Sequence, residues 1–300
     1  MENKNLLLIV NPCSGKAKMR TELLRVVEIL SAGGYNVTVY PTKERGDATE
    51  KVKSLKADKY GLIVVCGGDG TLNEVITGLM QSGIDCTLGY IPSGTLNEWS
   101  SGLRISRSIP NAAKDIVNGK TISLDIGKFG DKYFSYTASF GAFTEASYSA
   151  PQDVKNVLGQ AAYFFEGIKS LGNIRPIHLK FECEEKTVEG DFLFGAVSNS
   201  MSIGGIVKFD EAVVELNDGE FEVLLIRSPD NILKLQPIID GIIKKDLNRD
   251  GIEFFHTKKI KVTGGADVSW TLDGEFAQGA DEITITNLAH AIHLTVPNEE

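Results

Sequence analysis

The hydrophobic positions of the chain follow one pattern up to about residue 119 and another after it. In the first part, runs that are apolar throughout, such as Leu6 to Val10 and Gly61 to Cys66, alternate with segments in which apolar residues recur every three or four positions. Uniform runs are typical of strands buried in a parallel sheet, and the second pattern is typical of helices packed on it. The first hundred residues therefore predict four strand–helix units and an open parallel sheet with flanking helices. Beyond the two runs named above, this pattern predicts strands at 35–40 and 87–91 and helices at 19–32, 48–57 and from residue 72 onward.

After residue 119, apolar and polar residues alternate over many short segments, a pattern typical of antiparallel strands. The strands predicted here lie at 122–126, 132–140, 177–183, 192–198, 220–226, 258–263, 268–272, 283–285 and 290–296, with helices at 153–171 and 230–246. This predicts a mainly antiparallel β-sandwich. We place the boundary near Gly127, which gives an α/β domain at 1–127, a sandwich domain at 128–287, and a tail of about 288–300 as a candidate to return to the first domain.

Composition and charge narrow the classes of partner. A net charge of −9 over 300 residues argues against nucleic acid as a partner. No stretch of 18 apolar residues predicts a membrane span, and the N-terminal residues lack a signal-peptide pattern, so we expect a cytoplasmic protein. The four cysteines are scattered and are expected to be free thiols, and the four histidines share no metal-ligand spacing.

The stretch Gly67-Gly68-Asp69-Gly70-Thr71-Leu72-Asn73-Glu74 follows a predicted buried strand and opens a predicted helix. Glycines in such a turn allow close backbone approach to a ligand, and the helix N-terminus favours an anion such as phosphate. Asp69 would repel phosphate unless a cation lies between them, and Mg²⁺ bridging carboxylate and phosphate oxygens satisfies both. The competing interpretations are a plain strand–turn–helix link and a dinucleotide fingerprint, whose sixth position requires glycine where this chain has Asn73.

Three other polar turns follow predicted strands, at 11–16, 42–48 and 93–98. The carboxyl ends of parallel strands share one edge of a sheet, so all four turns are expected to lie together where ligands bind. The turn at 11–16 is not a Walker A loop, because its first glycine is missing and no Ser or Thr follows Lys16.

Taken together, these motifs resemble the diacylglycerol kinase catalytic-domain family, in its bacterial soluble lipid-kinase branch related to sphingosine kinases. The resemblance covers almost the whole chain. It rests on Asn11-Pro12-x-Ser14-Gly15-Lys16, Thr42 with Gly46-Asp47-Ala48, the stretch 67–74, Pro92-x-Gly94-Thr95-x-Asn97, Leu124-Asp125-Ile126-Gly127, Asn217-Asp218-Gly219 and Asp273-Gly274-Glu275. The glycine–aspartate–glycine turn alone is shared with NAD kinases, whereas the ordered set is specific.

The resemblance implies a phosphotransferase that uses ATP and Mg²⁺ in a cleft and phosphorylates a lipid hydroxyl, with diacylglycerol as the leading acceptor. Residues implied to contact ATP are Asn11, Ser14, Gly15, Lys16, Thr42, Gly67, Gly68, Asp69, Gly70, Thr71, Leu72, Asn73, Thr95 and Asn97. Asp69 is implied to hold the catalytic Mg²⁺ with Asp125 nearby, and Glu275 to act as the general base. A second, structural Mg²⁺ is implied at Glu215, Asp218 and the main-chain carbonyl of Glu220. The implied partner is a membrane lipid reached by peripheral contact at the inner membrane surface, with a homodimer as an open alternative.

Two residues depart from the family pattern, in which Asp is common at the position of Glu98 and a basic residue at that of Glu166. Both departures bear on the choice of acceptor more than on ATP binding. Two alternatives therefore stay open: a kinase acting on a soluble acceptor such as NAD, and a nucleotide- or lipid-binding protein without turnover. The apolar helix predicted at 153–171 is expected to pack on the second domain or to form a lipid-contacting wall.

Overall fold

A computed structural model of the chain describes residues 3–14, 19–94, 97–141, 176–203, 207–208, 214–231 and 234–298. The chain forms two compact units, one made of residues 1–126 with 289–300 and the other of residues 127–288. Within the described ranges, none of the helices is both long and apolar enough to span a bilayer.

The first unit is built on a parallel sheet. Its elements are β1 (Asn5–Val10), α1 (Met19–Ala32), β2 (Asn36–Pro41), α2 (Asp47–Lys53), β3 (Leu62–Gly67), α3 (Asp69–Ser82), β4 (Thr87–Pro92), α4 (Glu98–Gly102), α5 (Ile109–Asn118) and the start of β5 (Lys120–Phe129). The strand order is β2-β1-β3-β4, and the end of the last strand of the chain pairs in parallel with β4. β1 and β3 are buried along almost their whole length because helices cover the sheet, as their uniform apolar runs predict.

The second unit consists mainly of antiparallel strands. Its elements are the end of β5, β6 (Lys132–Phe134), β7 (Thr137–Gly141), β8 (Ile177–Glu182), β9 (Thr187–Ser198), β10 (Ser202–Ile203), β11 (Val207–Lys208), β12 (Phe221–Arg227), α6 (Leu235–Ile243), β13 (Ile252–Thr257), β14 (Lys259–Thr263), β15 (Ser269–Leu272), β16 (Glu275–Gln278) and the start of β17 (Glu282–Val296). The order is β16-β15-β7-β9-β8-β14-β17, and β12 pairs with both β9 and β13. Its core contains aromatic side chains among aliphatic ones, with the rings of Phe140 and Trp270 4.8 Å apart. The predicted fold class, a parallel α/β region followed by an antiparallel one, is confirmed.

Several element boundaries differ from the prediction. The predicted strand 132–140 is two strands, because the backbone N–H groups of residues 135 and 136 bond to a distant carboxylate instead of continuing a ladder. The segments predicted at 283–285 and 290–296 are one strand, β17. The helix predicted to reach residue 57 ends at Lys53, since the following turn tightens and Asp58 takes a left-handed conformation with φ 61°.

Six of the described elements were not predicted: α4, α5, β10, β11, β13 and β16. Helix α5 buries Ile109, Ala112, Ala113 and Ile116, a helical spacing that is present in the sequence and was overlooked. Strand β13 lacks a clean alternation, and β16 is short and begins immediately after a tight turn. The helix predicted at 230–246 is shorter, at Leu235–Ile243, while the helix predicted at 153–171 lies outside the described residues.

Candidate functional site

In the first unit, the polar turns that follow β1, β3 and β4 are joined by hydrogen bonds. The side-chain amide of Asn11 donates to the hydroxyl of Thr71 over 3.1 Å, and the hydroxyls of Ser14 and Ser93 lie 2.6 Å apart. The backbone N–H of Ser93 donates to the carbonyl of Gly67 over 2.8 Å. The parallel strands therefore bring these turns to one edge of the sheet, as their positions after strands predict.

Two of these turns touch through glycine backbones. A Cβ atom on Gly94 would lie 2.6 Å from the Cα of Gly68, so there is no room for a side chain at Gly94, and one at Gly68 would be tight, 3.3 Å from the Cα of Gly94. Asn97, which is buried and has φ 49°, stabilises the turn after β4 by hydrogen bonds between its side chain and the backbone. Its side-chain oxygen accepts the N–H of Gly94, and its amide donates to the carbonyl of the same residue, each over 2.9 Å. Asn97 thus shapes the turn in addition to its predicted contact with a nucleotide, which stays a prediction.

Asp69 lies at the start of α3 rather than inside a loop. The helix predicted from residue 72 onward begins three residues earlier, at Asp69, and Gly68 precedes it in an extended conformation. An acidic residue in the first turn interacts favourably with the helix dipole, and this stabilises the start of α3 without any ligand. The side chain of Leu72 is in the core, while Asn73 accepts a hydrogen bond from Thr77. Any contact of Leu72 with a nucleotide would therefore use its backbone.

The turn at 42–48 is attached to the same edge. The backbone N–H of Thr42 donates to the carbonyl of Val10 over 2.8 Å. From α3, the carboxylate of Glu74 accepts the N–H groups of Gly46 and Ala48 over 2.8 and 3.2 Å, which caps the start of α2. Glu74 ends the central glycine motif, and the structure gives it this bridging role.

Sequence reasoning missed Tyr90, which is buried in β4. Its hydroxyl contacts the carbonyl of Gly67 over 3.4 Å and the side chain of Asn97 over 3.3 Å. Burial, and then the nearby charge of Asp69, raise the pKa of Tyr90, so its hydroxyl stays protonated and able to donate. A tyrosine in a mainly apolar strand, three residues before a polar turn, was the available signal.

The four cysteines are free thiols, as predicted. Burial raises the pKa of the Cys66 thiol to about 12, and a hydrogen bond to Ser93 opposes the shift. Cys66 is therefore a neutral packing residue beneath the turn rather than a nucleophile.

Asp125 is fully buried in β5 and anchors the returning end of β17. Its Oδ1 accepts the backbone N–H of His290 over 2.7 Å, at a point where His290 has φ 53°. The structure thus gives Asp125 a positioning role within the first unit. Its predicted place near a metal ion stays a prediction.

Glu275 lies in the second unit, on the first residue of β16. The preceding Asp273 and Gly274 have φ values of 50° and 85°, which form the two-residue hairpin turn that an Asp-Gly pair favours. Glu275 is half-buried, whereas Phe276, on the opposite face of the strand, is 66% exposed. The Asp273 side chain is buried and accepts three backbone N–H groups from residues 135–137.

Two of the three residues predicted to form the structural metal site, Asp218 and Glu220, are fixed by hydrogen bonds. Asp218 accepts the backbone N–H of Glu220 over 2.9 Å, and the carbonyl of Glu220 accepts the side-chain amide of Asn287 over 2.9 Å. Glu215 is exposed. Within the part of the chain that the structure describes, no group of three or more His, Cys, Asp or Glu residues is arranged around a metal position. The set of Glu215, Asp218 and the Glu220 carbonyl stays a prediction.

Some predicted residues lie outside the described part of the chain. They are Gly15, Lys16 and Thr95 of the nucleotide set, together with Glu166 and the side chain of Glu98.

Comparisons with known proteins point to one family. Residues 5–129 match the model of the diacylglycerol kinase catalytic domain. The chain is 31% identical over 298 residues to a diacylglycerol kinase of Bacillus subtilis (strain 168), covering 99% of this chain and 98% of that relative. It is 29% identical to a diacylglycerol kinase of Staphylococcus aureus (strain MRSA252), covering 99% and 93% of the two chains.

A solved structure supports the same assignment. The crystal structure of a Bacillus anthracis str. Sterne protein, provisionally assigned as a diacylglycerol kinase, superposes with a TM-score of 0.81 at 28% identity, covering 99% of this chain and 96% of the other. The whole-length match to a relative above 30% identity and the shared fold lead to one conclusion. The chain belongs to the diacylglycerol kinase catalytic-domain family, a family of kinases.

Proposed function

We propose that the protein is an ATP- and Mg²⁺-dependent lipid kinase that converts diacylglycerol to phosphatidic acid. The observation that carries the proposal is the joining of three strand-end turns by the Asn11–Thr71 and Ser14–Ser93 hydrogen bonds at the N-terminus of α3. The names of the relatives, which match over nearly their whole lengths, support the choice of acceptor.

The residues at this edge fit a nucleotide and its metal ion. Backbone N–H groups at the N-terminus of a helix suit phosphate oxygens, and α3 begins directly after Gly67 and Gly68. Asp69 supplies the hard carboxylate oxygen that Mg²⁺ prefers, directly or through water. When bound, Mg²⁺ would neutralise charge on the phosphate oxygens and orient them for in-line transfer.

Glu275 is the base in this proposal. Its carboxylate would take the proton of the lipid hydroxyl as the bond from that oxygen to the γ-phosphorus forms and the bond to ADP breaks. Phosphoryl transfer depends mainly on positioning and electrostatics. A single carboxylate directed at the lipid hydroxyl is therefore enough to accept its proton. The acceptor lies in a bilayer, so we also propose peripheral contact with the inner surface of the cytoplasmic membrane.

Transfer of the γ-phosphate of radiolabelled ATP tests the proposal. The full-length protein is incubated with Mg²⁺ and either mixed micelles of detergent and diacylglycerol or NAD in solution. We expect label in the lipid fraction, none in NAD, and loss of transfer with EDTA that excess Mg²⁺ restores. Label in NAD would replace the lipid acceptor by a soluble one. ATP binding without label in either acceptor would contradict the kinase proposal.

A further inference from the structure

The buried carboxylate of Asp273 is held by three consecutive backbone N–H groups. Its Oδ2 accepts from Ser135 over 2.5 Å, and its Oδ1 accepts from Tyr136 and Thr137 over 3.0 Å each. The backbone N–H of Asp273 also donates to the carbonyl of Thr137 over 2.9 Å. Successive N–H groups aimed at one point form an anion-binding concavity, and here the anion is a side chain of the same protein.

These bonds fix the hairpin on which Glu275 lies. Asp273 is the first residue of the two-residue turn between β15 and β16, and Leu272 pairs with Glu275 across it. β15 is in turn paired with β7, whose first residue, Thr137, provides one of the three N–H groups. The turn is therefore fixed both by the strand pairing of β15 with β7 and β16 and by the hydrogen bonds to the Asp273 carboxylate. The position of Glu275 follows from that of Asp273.

We infer that Asp273 is a positioning residue for Glu275: its carboxylate, seated on the N–H groups of residues 135–137, aims the Glu275 carboxylate at the acceptor hydroxyl. This inference rests on the proposed function of Glu275 as the base. Hydrogen bonds from N–H groups to a buried carboxylate are about twice as strong as neutral ones, so the turn has little freedom to tilt. A displacement of about 1 Å at a reacting group costs roughly 100-fold in rate, which makes this anchoring matter for turnover.

Asp273→Asn is the sharpest variant. Asparagine tolerates the left-handed conformation and keeps the size of the side chain, so the turn type survives. One acceptor oxygen is replaced by an NH₂ group, so at least one of the three N–H groups loses its acceptor and faces another donor, and the negative charge is removed. Asp267→Asn is the matched control, because Asp267 is exposed in the turn that leads into the same hairpin.

The test is a double-mutant cycle with Glu275→Gln, read as kcat and KM for ATP with diacylglycerol micelles. In the wild-type background we expect Asp273→Asn to lower kcat about 100-fold with KM for ATP unchanged, and Asp267→Asn to change neither. In the Glu275→Gln background we expect Asp273→Asn to lower kcat less than about threefold, because the group that it positions is already absent.

Two outcomes would overturn the inference in different ways. Equal losses from Asp273→Asn in both backgrounds would show a general structural effect, with the base assignment intact. An unchanged kcat in Glu275→Gln alone would instead remove the proposed role of Glu275, and the inference with it. If Asp273→Asn is too unstable to purify, Asp273→Glu gives the same comparison, since it keeps the charge but moves it by about one bond length.

Discussion

The sheet edge of the first unit, where we propose that the nucleotide binds, and the Asp273 hairpin of the second unit are held in place by different means. At the edge, contacts are shared: the side chains of Asn11, Ser14, Thr71 and Ser93 each form one or two hydrogen bonds, and among the described side chains none joins all the turns. At the hairpin, one buried carboxylate makes three of the bonds. A shared network spreads the cost of losing one member, whereas a single anchor concentrates it.

The two regions also divide the proposed chemistry. The edge would bind the nucleotide and the metal, so changes there should alter metal dependence or ATP affinity. The hairpin carries the proposed base, whose proton moves only in the transition state, so changes there should alter kcat alone. Each prediction below tests one side of this division.

The largest effect is expected from Glu275→Gln. The amide keeps the size of the side chain but cannot accept the proton, and general-base catalysis is typically worth about 10²- to 10⁴-fold in rate. We expect kcat to fall by that factor while KM for ATP and the melting temperature stay unchanged. Steady-state kinetics with diacylglycerol micelles and a thermal melt are the measurements.

Glu282→Gln is the matched control for this change, because Glu282 lies in the same unit and pairs with Lys261 at the surface. It should leave kcat as in the wild type. A rise in KM for ATP without a fall in kcat for Glu275→Gln would assign Glu275 to binding and break the division between the regions.

Asp69→Asn is expected to have the next largest effect. It removes a charged oxygen at the start of α3 and should lower kcat about 100-fold at ordinary Mg²⁺, because metal stabilisation of the transferring phosphate is worth several kcal/mol. The Mg²⁺ concentration for half-maximal rate should rise. A titration of rate against Mg²⁺ measures both.

Asp85→Asn, just past the end of the same helix and exposed, provides the control for Asp69. Loss of a first-turn acid destabilises a helix by only about 0.3–1 kcal/mol, so folding should survive in Asp69→Asn. An unchanged rate and Mg²⁺ dependence would show that Asp69 serves the helix and not a metal ion.

The difference between the sheet edge and the hairpin also explains which of their features could be predicted from the sequence. The buried strands β1 and β3 are uniform apolar runs, and each turn after them contains Gly, Ser, Asn or Asp, so local pattern and position along the chain predicted the edge. The contact between Gly68 and Gly94 was not visible, because it joins two turns through backbone atoms that no residue type encodes.

In the second unit, local pattern was less informative. Asp273-Gly274 is an ordinary hairpin pair in sequence, and nothing near it indicates a buried carboxylate. The partners, residues 135–137, precede it by more than 130 positions and donate through their backbone. That same contact interrupts the predicted strand 132–140, so one long-range interaction accounts for both the missed anchor and the wrong boundary. Asp125 is similar, since its bond to His290 spans 165 positions.

The smallest effect is expected at Asp47, a carboxylate that anchors a turn as Asp273 does but is partly exposed. The backbone N–H of Lys43 and then the hydroxyl of Tyr40 bond to it over 2.8 Å and lower the pKa of Asp47. A carboxyl whose folded pKa is depressed stabilises the fold above its unfolded pKa of about 3.9. That stability is lost as the pH falls through the pKa of the folded state.

Asp47→Asn should therefore lower the free energy of unfolding at pH 7 by less than about 1 kcal/mol, since solvent screens the interaction. Urea unfolding at pH 7, 5 and 3 should show this difference undiminished at pH 5 and reduced at pH 3. Tyr40→Phe, which removes one donor and leaves the Lys43 N–H, should give a smaller difference with the same pH trend. A difference that is as large at pH 3 as at pH 7 would show that the side chain acts by shape and not by charge.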